Sequence, residues 1–173
     1  GPVIDRLARN GIDLTKQDLD RYQGKPGLTV KAQPGRAFAD LRFGFKKGIF
    51  ANNVKMRQAV AFAMDKEESV KAVTFGLGAP APAAIPPGTP YFGAIHGNDP
   101  YAKPQVEKAK QLLKEAGYKG EEIILDAHLQ PDIYAQLAVV LQSQFQTAGM
   151  NVRVRTLESA AVQTTWNGGE FSF

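Results

Sequence analysis

The chain contains no cysteine among its 173 residues, and this absence excludes several kinds of chemistry. Without cysteine there are no disulfides, no thiolate nucleophiles and no cysteine-based zinc or iron–sulfur sites. Histidine is almost as scarce, with two copies, and neither an HExxH motif nor a paired-histidine spacing is present to hold a metal ion. We therefore expect neither a metal centre nor a cofactor.

Long apolar runs are missing as well. No stretch approaches the roughly 18 uninterrupted apolar residues of a membrane helix. The first residues, GPVIDRLARNG, carry charges where a signal peptide would have its apolar segment. Hydrophobic residues make up 43% of the chain and charged residues 22%, which is ordinary for a soluble globular protein. This length and composition predict one domain, or a lobe of something larger.

The net charge of +4 raises the question of a nucleic-acid partner. The densest basic groups are Lys46-Lys47 and the pair Arg153 and Arg155. Neither group lies among the stacking aromatic residues that a nucleic-acid surface needs. Solvated faces are the simpler interpretation, so we expect no nucleic-acid partner, and a weak nucleic-acid-binding module stays open as an alternative.

The first half of the chain predicts short strands, two helices and an extended arm. Residues 28–33 and 37–45 alternate or run apolar as short strands do. Asp65 and Glu68 form a capping box between the helices, in which Asp65 accepts the Glu68 amide and Glu68 reaches back to the Asp65 amide. The second helix is expected to end at Gly76. The proline-rich stretch that follows, to Pro104, is expected to lie extended along its own domain. The first helix places these residues on one apolar face: Val54, Met56, Ala59, Val60, Phe62 and Ala63.

The second half alternates between strand and helix patterns. The predicted elements are, in order, a helix in KPQVEKAKQLLKEAGY, a strand in EEIILDAHL, a helix from Pro131 to Gly149, a strand in NVRVRTLE, a helix from Ala160 to Trp166 capped by Ser159, and a strand in EFSF. Alternation with short loops predicts parallel strands and right-handed crossovers. The expected fold class is α/β, with a mixed sheet, a β-α-β-α-β C-terminal half and flanking helices.

No motif in the sequence indicates catalysis. The serines show no GxSxG elbow, and GLGAPA follows a helix and lacks the third glycine of a dinucleotide loop. His128 lies at the carboxyl end of a predicted strand, where ligands gather in open α/β sheets; its other interpretation is a half-buried histidine bonded to a nearby carbonyl. His96 is interpreted as a loop residue. A small α/β hydrolase or transferase with an unrecognised site stays open as an alternative.

The stretch NNVKMRQAVAFAMDKEESVKAVTFGLGAPAPAAIPPGTP, residues 52–90, closely resembles the hallmark segment of the extracytoplasmic solute-binding proteins of peptide/nickel ABC importers, solute-binding protein family 5. The resemblance continues through KAKQLLKEAGY and LQSQFQTAGMNVRVRTLE, and covers nearly everything from Gly24 to Phe173. A departure is LRFGFKK, which has Gly44 and Phe45 where the family usually has asparagine after a phenylalanine. The matching hallmark residues are Val54, Arg57, Gln58, Ala59, Ala63, Asp65, Val73, Gly76, Gly78, Pro80, Pro86 and Pro87.

The resemblance implies a periplasmic-binding-protein type II-like lobe. Such proteins are two-lobed, non-catalytic clamps outside the cytoplasm that capture a peptide or similar small solute, close about a hinge and present the solute to a membrane permease. Residues 1–40 would then be a segment of the first lobe and the approach to the hinge. Residues 41–173 would be the second-lobe α/β domain, truncated before the ligand strand. Strand edges exposed by such a truncation could associate between copies.

The resemblance also implies where a ligand would bind. By position, the loop from His128 to Asp132 borders the cleft in relatives, and it sometimes supplies a basic partner for a ligand carboxylate. We therefore expect His128, Gln130 and Asp132 to be ligand-binding residues. The lobe alone is expected to bind weakly or not at all, because it supplies half the contacts and still incurs the entropy cost of association.

Overall fold

A computed structural model describes residues 20–29, 39–74, 78–81, 99–169 and 171–173. None of the helices in these ranges combines the length and the apolarity needed to cross a membrane. The regular elements are α1 (Val54–Ala63), α2 (Lys66–Thr74), α3 (Val106–Glu115), β1 (Ile123–His128), α4 (Ile133–Thr147), β2 (Val152–Leu157) and α5 (Ser159–Gly168).

The centre of the fold is the unit β1-α4-β2. The two strands pair in parallel, with Ile123 opposite Val152 and His128 opposite Leu157, which confirms the predicted parallel arrangement. Side chains alternate across a strand, so Ile123 and Leu125 point to one face and are buried there. Helix α4 packs against both strands. Gly149, with φ of 93°, adopts the left-handed conformation that glycine tolerates best and turns the chain from α4 towards β2.

The chain forms a second parallel pairing with β1, at Phe173. The amide of Phe173 donates to the carbonyl oxygen of Ile124 at 3.3 Å, and its carbonyl oxygen accepts from the amide of Asp126 at 2.7 Å. Because the bonds run to the residues before and after Leu125 in the same chain direction, this is parallel pairing. Residues 171–173 are not a regular strand, so the described part of the strand predicted in EFSF is limited to this pairing. The α/β class is confirmed.

The expected strand over residues 37–45 is not regular in the described part, 39–45. Its backbone nevertheless reaches the segment that makes this second pairing, since the amide of Gly44 donates to the carbonyl oxygen of Ser172 at 2.9 Å. The expectations for residues 30–38, for the end of a helix at Gly76, for His96 and for most of the proline-rich arm lie outside the described residues.

Phenylalanine rings join this early segment to the sheet. Phe173 is 3% exposed and its ring lies 4.9 Å from that of Phe50, 5.5 Å from that of Phe145 and 6.1 Å from that of Phe43, centroid to centroid. Rings at such separations attract each other beyond the burial of their area. One cluster therefore holds the segment before α1, the helix α4 and the last residues together.

The junction between α1 and α2 corrects the predicted capping box. Asp65 accepts from the Glu68 amide at 2.8 Å, as expected. The amide of Asp65, however, donates to the side-chain oxygen of Gln144 at 3.0 Å, and the nitrogen of Gln144 donates to Glu68 at 2.8 Å. A residue of α4 thus completes the box. Val54, predicted on the apolar face of α1, is instead 55% exposed.

Gly44 is expected to be essential for the pairing with Ser172. A methyl group there would overlap the backbone carbonyl oxygen of Phe171, and backbone cannot move aside as a side chain can. We expect Gly44→Ala to lower the free energy of unfolding by about 3 kcal/mol, at the upper end of overpacking costs. Urea denaturation monitored by circular dichroism measures this change.

The matched control is Gly117→Ala. Gly117 has a φ of 77° and open space around it, so alanine there introduces backbone strain alone, of about 1 kcal/mol. Equal losses in the two variants would contradict the close approach at Gly44.

The ion pair between Lys66 and Asp99 predicts a pH dependence of stability. Lys66 donates to Asp99 at 2.7 Å, and both side chains are largely buried. Burial alone raises the pKa of Asp99, but the hydrogen bonds from Lys66 and from the Tyr101 amide, with the charge of Lys66, outweigh it and lower the pKa. The stabilisation is therefore present above the usual aspartate pKa and is lost as the pH falls through the lowered value.

The measurement is the difference in unfolding free energy between the wild type and Asp99→Asn as a function of pH. The difference should be constant near neutrality and shrink in acid. When both proteins also carry Lys66→Met, the difference in unfolding free energy should change much less as the pH falls. A difference that grows as the pH falls would contradict the assigned direction.

Candidate functional site

His128 occupies the carboxyl end of β1. The chain stays in register just beyond it, because the amide of Leu129 donates to the carbonyl oxygen of Leu157 at 2.8 Å. The carboxyl ends of β1 and β2 therefore meet at one edge, and the loops that follow them begin side by side. His128 is half-buried there, which leaves part of its ring accessible.

Ser159 meets His128 across this edge. Its hydroxyl oxygen lies 3.2 Å from Nδ1 of the imidazole, and which of the two donates follows from the histidine tautomer. The predicted capping role is wrong: α5 begins at Ser159 itself, and Glu158 is the N-cap residue, without a side-chain capping bond. The serine hydroxyl is directed to the neighbouring strand end instead of to its own helix.

Two aromatic rings flank the imidazole. The ring of Tyr134, in the first turn of α4, and the ring of Trp166, near the end of α5, each have centroids 5.6 Å from that of His128. The guanidinium carbon of Arg42 lies 4.5 Å from the centre of the Trp166 ring, and Arg42 is bonded to Asp40 at 2.8 Å. We call His128, Tyr134, Ser159, Trp166 and Arg42 the His128 cluster.

The other two predicted site residues lie on the loop between β1 and α4. Gln130 is exposed and precedes Pro131 through a cis peptide bond. Asp132 is exposed at the N-cap of α4, and its carboxylate accepts from the side chain of Gln136 at 3.0 Å. The structure thus brings all three predicted residues to one loop, and it adds the other members of the cluster from α4, α5 and the segment before α1.

The sequence contained a signal for one of these additions. Ser159 comes directly after the predicted strand in NVRVRTLE, just as the loop of Gln130 comes directly after the predicted strand that contains His128. The carboxyl ends of neighbouring parallel strands lie together. Trp166 and Arg42 had no comparable signal. Their contact depends on the rotation of α5 and on the path of residues 39–45.

The face of β1 that carries His128 also carries a buried ion pair. The Asp126 side chain is 0% exposed and accepts two hydrogen bonds from Arg155, at 2.6 and 2.8 Å. These bonds raise the pKa of Arg155. Two residues earlier on β2, Arg153 makes a similar pair with Glu122, but both side chains are about half exposed.

The cluster can bind a solute, but as described it lacks a complete catalytic arrangement. In a nucleophile–histidine–acid triad, a carboxylate bonds the second ring nitrogen. Within the described ranges no carboxylate is bonded to the other nitrogen of His128, and no group of metal-ligating side chains is found. Two surface depressions of about 510 and 330 Å³ are lined by residues outside the cluster.

Comparisons with known proteins identify the family to which the chain is similar. The family model described as bacterial extracellular solute-binding proteins, family 5 Middle, matches residues 6–173. Heme-binding protein A of Haemophilus influenzae is 32% identical over 96% of this chain and 30% of its own length. The dipeptide-binding protein of Escherichia coli is 31% identical over 82% of this chain and 26% of its own length. The chain therefore spans less than a third of these curated relatives.

A solved structure shows the same fold. The dipeptide binding protein from Pseudoalteromonas sp. SM9913, in complex with Met-Leu, matches with a TM-score of 0.71 and 22% identity over 98% of this chain and 34% of that one. The expected architecture, an α/β lobe of the type II periplasmic-binding-protein kind, is thereby confirmed.

The two arginine pairs on β2 predict different losses of stability. Arg155→Leu leaves the buried carboxylate of Asp126 without its partner. Since Arg155 itself is 43% exposed, we expect a loss of about 2 kcal/mol, below the 3–5 kcal/mol of a fully buried pair. Arg153→Leu, the control on the same strand face, should cost less than about 1 kcal/mol. Chemical denaturation of both variants checks the order, and a larger loss for Arg153→Leu would contradict it.

Proposed function

Because this chain belongs to the bacterial extracellular solute-binding proteins of family 5, we propose that it forms one lobe of an ABC-importer binding protein. Residues 41–173 are most of the second lobe, and residues 1–40 come from the first lobe and the approach to the hinge. The whole protein acts outside the cytoplasm. It captures a peptide or similar small polar solute between its lobes and delivers the solute to a membrane permease.

The observation that carries this proposal is the His128 cluster. It places an imidazole, a hydroxyl and two aromatic rings at the joined carboxyl ends of two parallel strands. This is the edge at which open α/β sheets bind ligands. The cluster lies outside the two surface depressions of the described residues, and its partly exposed rings suit a surface that a second lobe covers on closure.

The loop residues supply the polar contacts. A peptide ligand carries an amino group, a carboxylate and main-chain amides. Asp132 has an exposed carboxylate that can accept from an amine, and Gln130 has an amide that can bond the main chain. His128 uses one ring nitrogen with Ser159 and keeps the other for the ligand. These three residues are therefore assigned to ligand binding.

The alternatives have less support. Members of this family are substrate-binding proteins and not enzymes, and the His128–Ser159 pair has no orienting carboxylate within the described residues. A nucleic-acid surface would need free basic side chains, but Arg153 and Arg155 are both paired with carboxylates. Reversible capture of a solute remains the function that the geometry favours.

Isothermal titration of the full-length protein with dipeptides and oligopeptides tests this function, with the present chain titrated alongside. We expect strong heat from the full-length protein and none from the chain, because one lobe supplies about half of the contacts at the same entropy cost. Equal affinity of the two would contradict the proposed clamp. Heme is titrated as well, since one relative is named for it; binding of heme but of no peptide would reassign the solute.

Substitutions in the loop test the assigned residues. His128→Ala and Asp132→Asn should each weaken peptide binding about tenfold or more, as the loss of a hydrogen bond to a charged group does. The control is Gln163→Ala, because Gln163 is exposed on α5 and bonded to Asn167 of its own helix. A matching loss in the control, or no loss in the loop variants, would contradict the assignment.

A further inference from the structure

Aromatic residues near His128 are placed differently from most aromatic residues in the described ranges of the chain. Phe43, Phe50, Phe145 and Phe173 belong to the core or pack against it, and the same is true of Phe62, Tyr101 and Tyr118. Tyr134 and Trp166 do neither. They gather around His128 and remain partly exposed. Core packing therefore does not account for these two rings.

The loop that follows His128 also carries an exposed apolar side chain. Leu129, which follows His128 directly, is 41% exposed. Partly exposed apolar groups rimmed by polar ones mark binding surfaces more often than single scattered residues do. Here the polar rim consists of Gln130, Asp132 and Ser159.

The rings are held in place before any ligand arrives. Ser159 bonds the imidazole at 3.2 Å, and the guanidinium of Arg42 lies over the indole of Trp166 at 4.5 Å. Asp40 in turn holds Arg42 at 2.8 Å. Groups that are already ordered lose less freedom on binding, which favours affinity. Arg42 is thus a positioning residue for the indole.

We propose that Trp166, Tyr134 and His128 form a subsite for the aromatic side chain of a peptide ligand. This inference rests on the proposed function and specifies the class of solute. Rings pair edge-to-face or offset at centroid separations of about 4.5–7 Å, and the partly exposed rings of Tyr134 and Trp166 are accessible to a further ring. A peptide with phenylalanine, tyrosine or tryptophan should bind roughly tenfold or more tightly than its alanine counterpart.

The test is a calorimetric series on the full-length protein. The peptides have one length and carry phenylalanine, cyclohexylalanine, leucine or alanine at one position, each position being tried in turn. Phenylalanine should bind most tightly at one position, with cyclohexylalanine and leucine between it and alanine. Equal binding of phenylalanine and alanine, or of phenylalanine and cyclohexylalanine, would overturn the aromatic subsite and leave the solute-capture function standing. Binding of no peptide at all would overturn both the subsite and the assignment of a peptide as the solute.

Variants locate the effect. Trp166→Leu and Tyr134→Leu should bring the affinity ratio of the phenylalanine and alanine peptides towards one, and Trp166→Phe should restore most of it. Tyr118→Leu is the control, because Tyr118 lies at the amino ends of the strands, bonded to the Asn151 amide. An unchanged ratio in both leucine variants would refute the assignment. Circular dichroism checks folding, and the wild-type peptide series decides the matter even where a variant fails to fold.

Discussion

The pairing of Phe173 with β1 is the constraint on which the rest of the arrangement depends. Two backbone bonds fix the end of the chain against the central strand. The ring of the same residue fixes α4 and the segment before α1 through Phe145, Phe43 and Phe50. Because Gly44 lacks a side chain, the segment of residues 39–45 can pass close to the backbone carbonyl of Phe171. That approach sets the path of the segment from which Arg42 reaches Trp166.

The site follows from the same topology. A parallel crossover returns the chain to the starting edge of the sheet, so the ends of β1 and β2 coincide although His128 and Ser159 are 31 residues apart. Helix α5 then starts at this edge and packs towards β1, which carries Trp166 back to the imidazole. Strand order, and not any local motif, creates the cluster.

Local patterns in the sequence predicted most of the elements and missed the contacts between them. Apolar periodicity and stop signals located α3, β1, α4 and β2, and the alternation of types predicted parallel strands. The predicted partner of the Asp65 amide was wrong because the actual partner, Gln144, lies 79 residues away in the sequence. Local sequence patterns do not predict contacts over such a separation. Ser159 was assigned to its own helix for the same reason. Trp166 and Arg42 escaped notice because their meeting requires the packed fold.

The distribution of charge favours short-range contacts, and not a long-range field, as the basis of the proposed solute selection. The strongest charges beneath the site, Asp126 and Arg155, neutralise each other in a two-bond pair, as Arg153 and Glu122 do at the surface. The charges on the strands therefore produce little net electrostatic field that could favour one ligand over another. Relatives that match this lobe at similar identity are named for different solutes, and a shared fold does not determine a ligand. Under the proposed function, discrimination therefore comes from short-range contacts, and at this edge the candidates are the rings around His128 and the polar groups of the loop that follows it.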